Sequence, residues 1–342
     1  MIALYYLCKG RRRSKNIYIA SRKVLQTSLA MEKVEEFETA MLIVIVVLIV
    51  FATIFNLVII TALTRSYHRR KYRDYILISA SFCDLTRILL VGSLEVRGLS
   101  DHEFLHGRGL CISEAFFMYF FEFSSICHIF ALAIDRYLCS IKQNYALVLY
   151  TKTLYIPLSL FLIYGYAFLW SVLPVFGLGR YDKQSGNVQC GLVPYKNSLG
   201  KIYMTLVLTF VFVLPISIIC FTALKIMKHI RTNFNSRVSC ISRASTKSIS
   251  QVDYITEDIV QVRLVIATTI TFVLTWLPYD VILAHEVYKG ESANEYVEVT
   301  MTVIGQTSAL IMPLIYIVLY KDLRRTIRTM KRKANNFFGD HE

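Results

Sequence analysis

Charge is what this chain has least of: 18% of its 342 residues are charged, whereas 55% are hydrophobic. A soluble domain carries about a quarter charged residues, so a water-soluble globular protein is excluded. The eight cysteines form no CxxC or Cys/His spacing, which excludes the common zinc sites. Of seven histidines, only His128 lies well inside an apolar run. That is too few for the convergent ligands of a metal-dependent membrane hydrolase. No internal repeat is evident, which counts against a transporter built from duplicated halves. The chain is not read as an enzyme, and no residue is assigned a catalytic role.

What it has instead is apolar runs of about 20 residues, long enough to cross roughly 30 Å of hydrocarbon as helices. Seven spans are expected: Met41–Leu63, Asp74–Val96, a third from near Cys111 to Tyr137, Leu154–Phe176, Ile202–Met227, Ile259–His285 and Tyr296–Leu319. The expected architecture is an all-α membrane bundle over residues 41–320. A segment of residues 1–40 precedes it and a tail of residues 321–342 follows. Cytoplasmic loops of membrane proteins concentrate Lys and Arg, so the net charge of +14 reflects topology and not a nucleic-acid partner. With the N-terminus outside, the inner segments hold twenty Lys and Arg and the outer loops seven. That orientation places Cys111 and Cys190 on the oxidising side, where a disulfide persists. No Asn-x-Ser/Thr sequon falls in an outer segment.

The two ends differ in character. Residues 1–30 carry seven basic residues and no acid, and MEKVEEFETA from Met31 is acidic. Residues 1–30 are either a basic, disordered extension or lie ahead of a true start at Met31; the second reading is preferred. The apolar core at Ala3–Cys8 is too short for a signal peptide. After the seventh span, basic residues alternate with Leu323, Ile327 and Met330 at helical spacing. This predicts a short amphipathic helix on the inner leaflet, the alternative being a disordered basic tail. No Cys follows Tyr316, so a palmitoyl anchor is excluded from this tail.

Ordered landmarks give these spans a specific likeness. Asn56, Asp84, Cys111, Asp135-Arg136-Tyr137, Cys190, Pro215, Trp276-Leu277-Pro278 and Pro313-Leu314-Ile315-Tyr316 together resemble rhodopsin-like (class A) G-protein-coupled receptors over about Phe51 to Met330. Within that family the likeness is to opsins. Pro174–Tyr181 with Cys190 looks like the opsin outer-loop plug, and Gly305-Gln306-Thr307-Ser308-Ala309 reads like opsin helix seven.

The resemblance implies a multi-pass plasma-membrane receptor that signals to heterotrimeric G proteins. It implies a Cys111–Cys190 disulfide and an inner switch in which Arg136 pairs with Asp135 and, across the bundle, with Asp258. It gives Trp276 a toggle role, makes Pro215, Pro278 and Pro313 kinks, and adds Asp84 and Tyr316 to the activation set. Glu114 matches a retinal counterion site, with Gln184 in the plug. The departures are Gln306 where opsins hold the retinal lysine, Met312 before Pro313, Tyr164 in helix four and Ala223 in helix five. A Schiff base needs a primary amine, so no covalent retinal cofactor is expected. Met312 weakens a sodium site at Asp84, although Ser125 and Ser308 remain as oxygen donors.

Helical spacing and family register turn Arg87, Glu114, Met118, Glu122, Asp280 and Gln306 inward in the outer half of the bundle. Intramembrane ionisable residues usually pair, and Arg87 is expected to meet Glu122 or Glu114. The surplus of acid favours a cationic or hydrogen-bond-rich ligand, a small molecule or a peptide, over a bare polyene. A self-satisfied buried network without a ligand is the alternative. Retinal sensed without a Schiff base is the rival function within the fold.

Overall fold

The computed structural model describes residues 2–65, 71–101, 107–184, 188–193, 198–241 and 247–339; within these, 2–32, 233–241, 247–257, 295 and 333–339 are described by backbone alone. Helices dominate: α1 (Ile2–Arg65), α2 (Tyr72–Ser100), α3 (Arg108–Ile141), α4 (Gln143–Tyr150) and α5 (Tyr155–Val172). A hairpin of β1 (Tyr181–Lys183) and β2 (Cys190–Leu192) separates these from α6 (Ser198–Val207) and α7 (Leu214–Ile241). The chain ends with α8 (Lys247–Lys289), α9 (Glu295–Gln306), α10 (Ser308–Leu319) and α11 (Lys321–Gly339). Among the described residues, seven helical stretches are long and apolar enough to cross a membrane, beginning at Lys33–Arg65 and ending at Tyr296–Leu319. The middle of the Ser-rich inner loop expected from Lys228 to Tyr254, at 242–246, lies outside the described residues.

Burial follows the bilayer in place of water. On α1, Ile43, Val47, Val50, Phe51 and Ile54 are exposed, whereas Ile45, Ala52, Asn56 and Ile59 are buried. An exposed apolar stripe of that length has hydrocarbon as its natural partner. Inward, α3 is the hub, packed against α2, α5, α7 and α8. Asn56 shows how a polar residue is tolerated inside: its amide donates to the carbonyls of Ala52 and Ala309, both at 2.9 Å, tying α1 to α10.

The prolines shape two spans. Pro215 has no N–H to give and its ring crowds the preceding turn; the six residues Leu208–Val213 just before it form a π-helical segment joining α6 to α7. Such wide turns accommodate a lost ladder bond. Pro313 lies inside α10, and α9 breaks from α10 at Thr307. Pro278 lies inside α8 without ending it.

At the N-terminal end, residues 2–30 are helical backbone continuous with the rest of α1. The tail helix forms as α11, burying Leu323 and half-burying Ile327 and Met330 against the bundle. An ionic cluster pins it: Arg73 donates to the Tyr320 hydroxyl at 2.9 Å and to Asp322 at 3.1 Å, and Tyr320 donates to Asp74.

On the outer side the hairpin is antiparallel, pairing Tyr181 with Leu192 and Lys183 with Cys190. Gly177 and Gly179 take φ of 96° and 105° in the turn from α5 into β1, conformations that a side chain disfavours. The Cys111–Cys190 disulfide joins β2 to the outer end of α3. At Gly98 the end of α2 meets the far side of the hairpin so closely that a Cβ would sit 1.9 Å from the Val188 carbonyl oxygen. Because the obstacle is backbone, Gly98→Ala is expected to lower stability by about 1–3 kcal/mol, read as the thermal unfolding midpoint of purified protein. An unchanged midpoint would mean that the hairpin does not rest on α2.

Candidate functional site

The inward face of the outer half is a layered polar network of buried side chains. Its roof is the hairpin, whose Gln184 and Gln189 turn down. Gln189 donates to Gln184 at 2.9 Å and to Thr302 at 3.1 Å, and Gln184 donates to the Tyr279 hydroxyl at 3.2 Å. Tyr279 and Tyr119 share a hydroxyl–hydroxyl bond of 2.8 Å, and the backbone N–H of Leu192 donates to Tyr119 at 3.3 Å. This chain of bonds stitches β2, α3, α8 and α9 into one lid. The Gly191 backbone leaves room for it, since a Cβ there would come within 2.6 Å of the Gln184 amide. At the rim, outside the spans, desolvation is the largest single influence on Asp182 and pushes its carboxyl up, but the Lys183 N–H and the Arg180 guanidinium together outweigh it and hold it below the usual range.

Beneath the lid lie the acids. Glu114, Glu122 and Asp280 are buried, as sequence spacing required, and Met118 lies buried between the two α3 acids. Glu95 of α2 joins them. It was missed because it stands at the expected end of the second span, although its spacing of eight residues from Arg87 keeps it on the same helix face. The Gln306 amide donates to the Glu95 carboxylate. Glu122 accepts no hydrogen bond on either oxygen, and one oxygen each of Glu114, Asp280 and Gln306 is likewise without a donor.

Arg87 corrects the expected pairing. It does not bond Glu114 or Glu122. Its guanidinium lies 3.5 Å from Asp84 one turn earlier on α2, donates to Ser308 at 2.9 Å, and sits over the Trp276 ring at 5.2 Å. The physical reason is reach: at i,i+3 the two charges share a helix face, and α10 supplies a hydroxyl opposite. The same geometry sets Arg87 where a sodium ion at Asp84 would compete for the carboxylate. A cation there would face a guanidinium already bonded to that carboxylate and to Ser308. Ser125 is only half-buried, and no group of His, Cys, Asp and Glu among the described residues is arranged to hold a metal ion.

Trp276 is fully buried and donates to Ser308 at 3.3 Å. Gly305 clears its space, for a Cβ there would stand 3.0 Å from the indole ring. Met312 and Tyr316 are buried below it. The substitution Tyr164 is also accommodated: its hydroxyl meets Ser79 at 2.6 Å, and His128 bonds Ser79 at 2.9 Å and the Ser124 carbonyl at 2.6 Å. His128 is thus a satisfied structural group linking α3 to α2 and α5.

At the inner end the switch differs from expectation. Arg136 donates to Asp135, at 2.9 Å from Nε, and lies 3.5 Å from the Cys139 sulfur. Among the described residues, the ion-pair partner of Arg136 is Asp135. Asp135 is held instead by Tyr150, whose hydroxyl donates to its second oxygen and also meets Cys139 at 3.0 Å. Tyr150 comes from α4, a loop helix that the sequence pattern did not separate from its surroundings. Tyr72 and Tyr155 stack nearby, with centroids 4.7 Å apart. Tyr137 packs against Ala223, Ile226 and Val262.

The Asp84–Arg87 pair generates a test. Arg87→Gln strands a buried carboxylate and is expected to cost about 3–5 kcal/mol, most of it recovered by adding Asp84→Asn. Thermal unfolding in neutral detergent measures both. Unfolding of the unaltered protein should be equal in sodium and choline chloride; stabilisation by sodium alone would show that Arg87 does not fill the site.

Comparison with known proteins follows this geometry. The family model described as 7 transmembrane receptor (rhodopsin family) matches residues 55–316. The chain is 25% identical to parapinopsin of Ictalurus punctatus over 281 residues, 80% of this chain and 76% of that protein. It is 24% identical to Opsin-5 of Mus musculus over 260 residues (74% and 67%) and 23% identical to the B2 bradykinin receptor of Oryctolagus cuniculus over 300 residues (84% and 78%). In three dimensions it resembles the crystal structure of squid rhodopsin, with a TM-score of 0.76, 19% identity, and coverage of 88% and 87% of the two chains. The chain belongs to the rhodopsin family of seven-transmembrane receptors and is a G-protein-coupled receptor.

Proposed function

We propose that this receptor responds to a ligand held non-covalently in the outer chamber and passes the signal to a heterotrimeric G protein at its inner end, from the plasma membrane with its N-terminus outside. The observation that carries the reading is Gln306, bonded to Glu95 where opsin chemistry needs a free amine. Among the described residues no lysine is buried, so covalent retinal does not fit this site. An amide neither forms an imine nor carries the proton that a counterion would stabilise. The acids and amides beneath the lid suit a cationic or hydrogen-bonding ligand instead, because unpaired buried charge is costly.

In this reading the chamber floor relays occupancy. Arg87, Trp276 and Ser308 form one bonded unit between α2, α8 and α10, so displacing the indole disturbs all three helices. At the inner end the Arg136–Asp135 pair, latched by Tyr150, holds the resting state. The kinks at Pro278 and Pro313 give α8 and α10 freedom to move, and only a few kcal/mol need separate the two states.

Two measurements test this. Borohydride treatment after incubation with retinal is expected to trap no chromophore; a stable reduced adduct would overturn the non-covalent reading. In nucleotide-exchange assays, Tyr150→Phe removes one hydrogen bond of about 1 kcal/mol and should raise basal activity several-fold, whereas Asp258→Ala should leave it unchanged and Arg136→Ala should abolish coupling. Elevated basal activity in Asp258→Ala with none in Tyr150→Phe would return the latch to α8.

A further inference from the structure

The tail helix α11 carries a conflict that its own fold does not resolve. Its 19 residues hold seven bases and one acid, Asp322. At about 100° per residue, Lys321, Arg324, Arg325, Arg328, Lys331 and Arg332 fall within an arc of about 120°, on the side away from Leu323, Ile327 and Met330. All six are exposed. Arg328 stands at the centre, since every neighbour three or four residues away, Arg324, Arg325, Lys331 and Arg332, is also basic. Like charges at those spacings weaken a helix. Asp322 does not relieve them, because it is shared by Arg73 at 3.1 Å, Lys71 at 3.7 Å and Arg325 at 4.0 Å. No acid among the described residues pairs with Arg324, Arg328, Lys331 or Arg332.

The apolar side of α11 is already used. Leu323 is fully buried, and Ile327 and Met330 pack with it in the cluster that contains Ile59, Ala62 and Leu63 of α1. Those three lie in the last two turns of the first span, Lys33–Arg65, so α11 crosses the end of that span at the depth of the lipid headgroups. The bonds from Arg73 to Tyr320 and Asp322 fix its start there. A protein groove that grips helices by their apolar side would have to strip Leu323 from the bundle, whereas a headgroup needs only the charged side. Phosphate is the headgroup chemistry that fits, because the four arginines of the stripe present forks that match phosphate oxygens. A singly charged headgroup leaves most of the repulsion around Arg328 in place. One that carries several phosphates relieves it at a single position.

We propose that this face of α11 binds phosphoinositide headgroups of the inner leaflet, the phosphates centred on Arg328 and flanked by Arg324, Arg325, Lys331 and Arg332. Clusters of bases directly after a span are drawn to anionic lipids of that leaflet. Because Tyr320 joins α10 to α11 and bonds Arg73 and Asp74 of α2, occupancy ties the inner ends of three helices to the lipid composition of the membrane. The proposal rests on the orientation with the N-terminus outside.

The test titrates the full-length receptor in neutral detergent with fluorescent phosphatidylinositol bisphosphate. Phosphatidylserine serves as the singly charged lipid, inositol trisphosphate as a free polyphosphate, and polyglutamate as an acidic polypeptide. The bisphosphate lipid is expected to half-saturate at a concentration at least tenfold below each of the others. A base neutralised near a lipid surface costs about fivefold, so Arg324→Gln, Arg328→Gln and Lys331→Gln together should weaken it at least tenfold. Lys225→Gln, Lys228→Gln and Arg231→Gln together remove the same charge from the inner end of α7 and should leave it within threefold. Without lipid the α11 variant should unfold at the same or a higher temperature, because it removes repulsion; a marked fall would show a structural role and overturn the proposal. Equal affinity for phosphatidylserine, or an equal loss in the α7 variant, would reduce the site to diffuse surface charge and overturn it. Equal affinity for inositol trisphosphate, or tighter binding of polyglutamate, would also overturn the lipid assignment, in favour of a free phosphate or an acidic protein. Orientation is read separately: a C-terminal epitope should bind antibody only in permeabilised cells, and labelling of intact cells would overturn the orientation whatever the lipid result.

Discussion

A guanidinium buried at the centre of a helical bundle is the constraint on which the rest of this receptor depends. Arg87 is 2% exposed, and in a membrane it has no water to fall back on. An isolated buried ion costs many kcal/mol, and only close, well-bonded partners offset that. Asp84 supplies the opposite charge, Ser308 a hydroxyl, and the Trp276 ring a negative face. Three helices are held in register by one side chain. The consequence is functional as well as structural: any ligand that moves Trp276 also perturbs the environment of a buried ion pair, which has few acceptable alternative arrangements.

The same commitment explains the chamber above. Had Arg87 reached upward, it would have neutralised Glu114 or Glu122 and left a self-contained network. Because it reaches down, no hydrogen bond from Arg87 reaches the outer acids among the described residues, and their hydrogen-bonding needs are met only in part by Gln306. The hairpin and the Cys111–Cys190 disulfide close over this polar layer.

At the inner end the geometry is economical. Asp135 takes a hydrogen bond from Tyr150 of a short loop helix, so the state of Arg136 is tied to the inner loop that joins α3 to α5. The Arg73, Asp74, Tyr320 and Asp322 cluster fixes α11 against the start of α2. Two separate polar clusters therefore frame the inner face, one beside Arg136 and one beneath the tail helix.

The spans and the amphipathic tail were legible in the amino-acid sequence because each rests on local chemistry, whereas the disulfide partners and the hairpin plug were legible only through the resemblance to opsins. Apolar length sets a span, period sets the buried face, and basic loops set the orientation. Periodicity also placed Glu114, Glu122, Asp280 and Gln306 inside the bundle. It did not say at what height each helix stands against its neighbours or which rotamer a long side chain adopts. Those two quantities decide partners: they send Arg87 to Asp84, bring Glu95 to Gln306, and give Asp135 to Tyr150 as well as to Arg136. Tyr119 and Tyr279 read as ordinary core aromatics until packing set their hydroxyls 2.8 Å apart. Composition and period determined which residues this receptor buries; only tertiary packing decided which of them meet, because hydrogen bonds and ion pairs depend on ångström distances between helices remote in sequence.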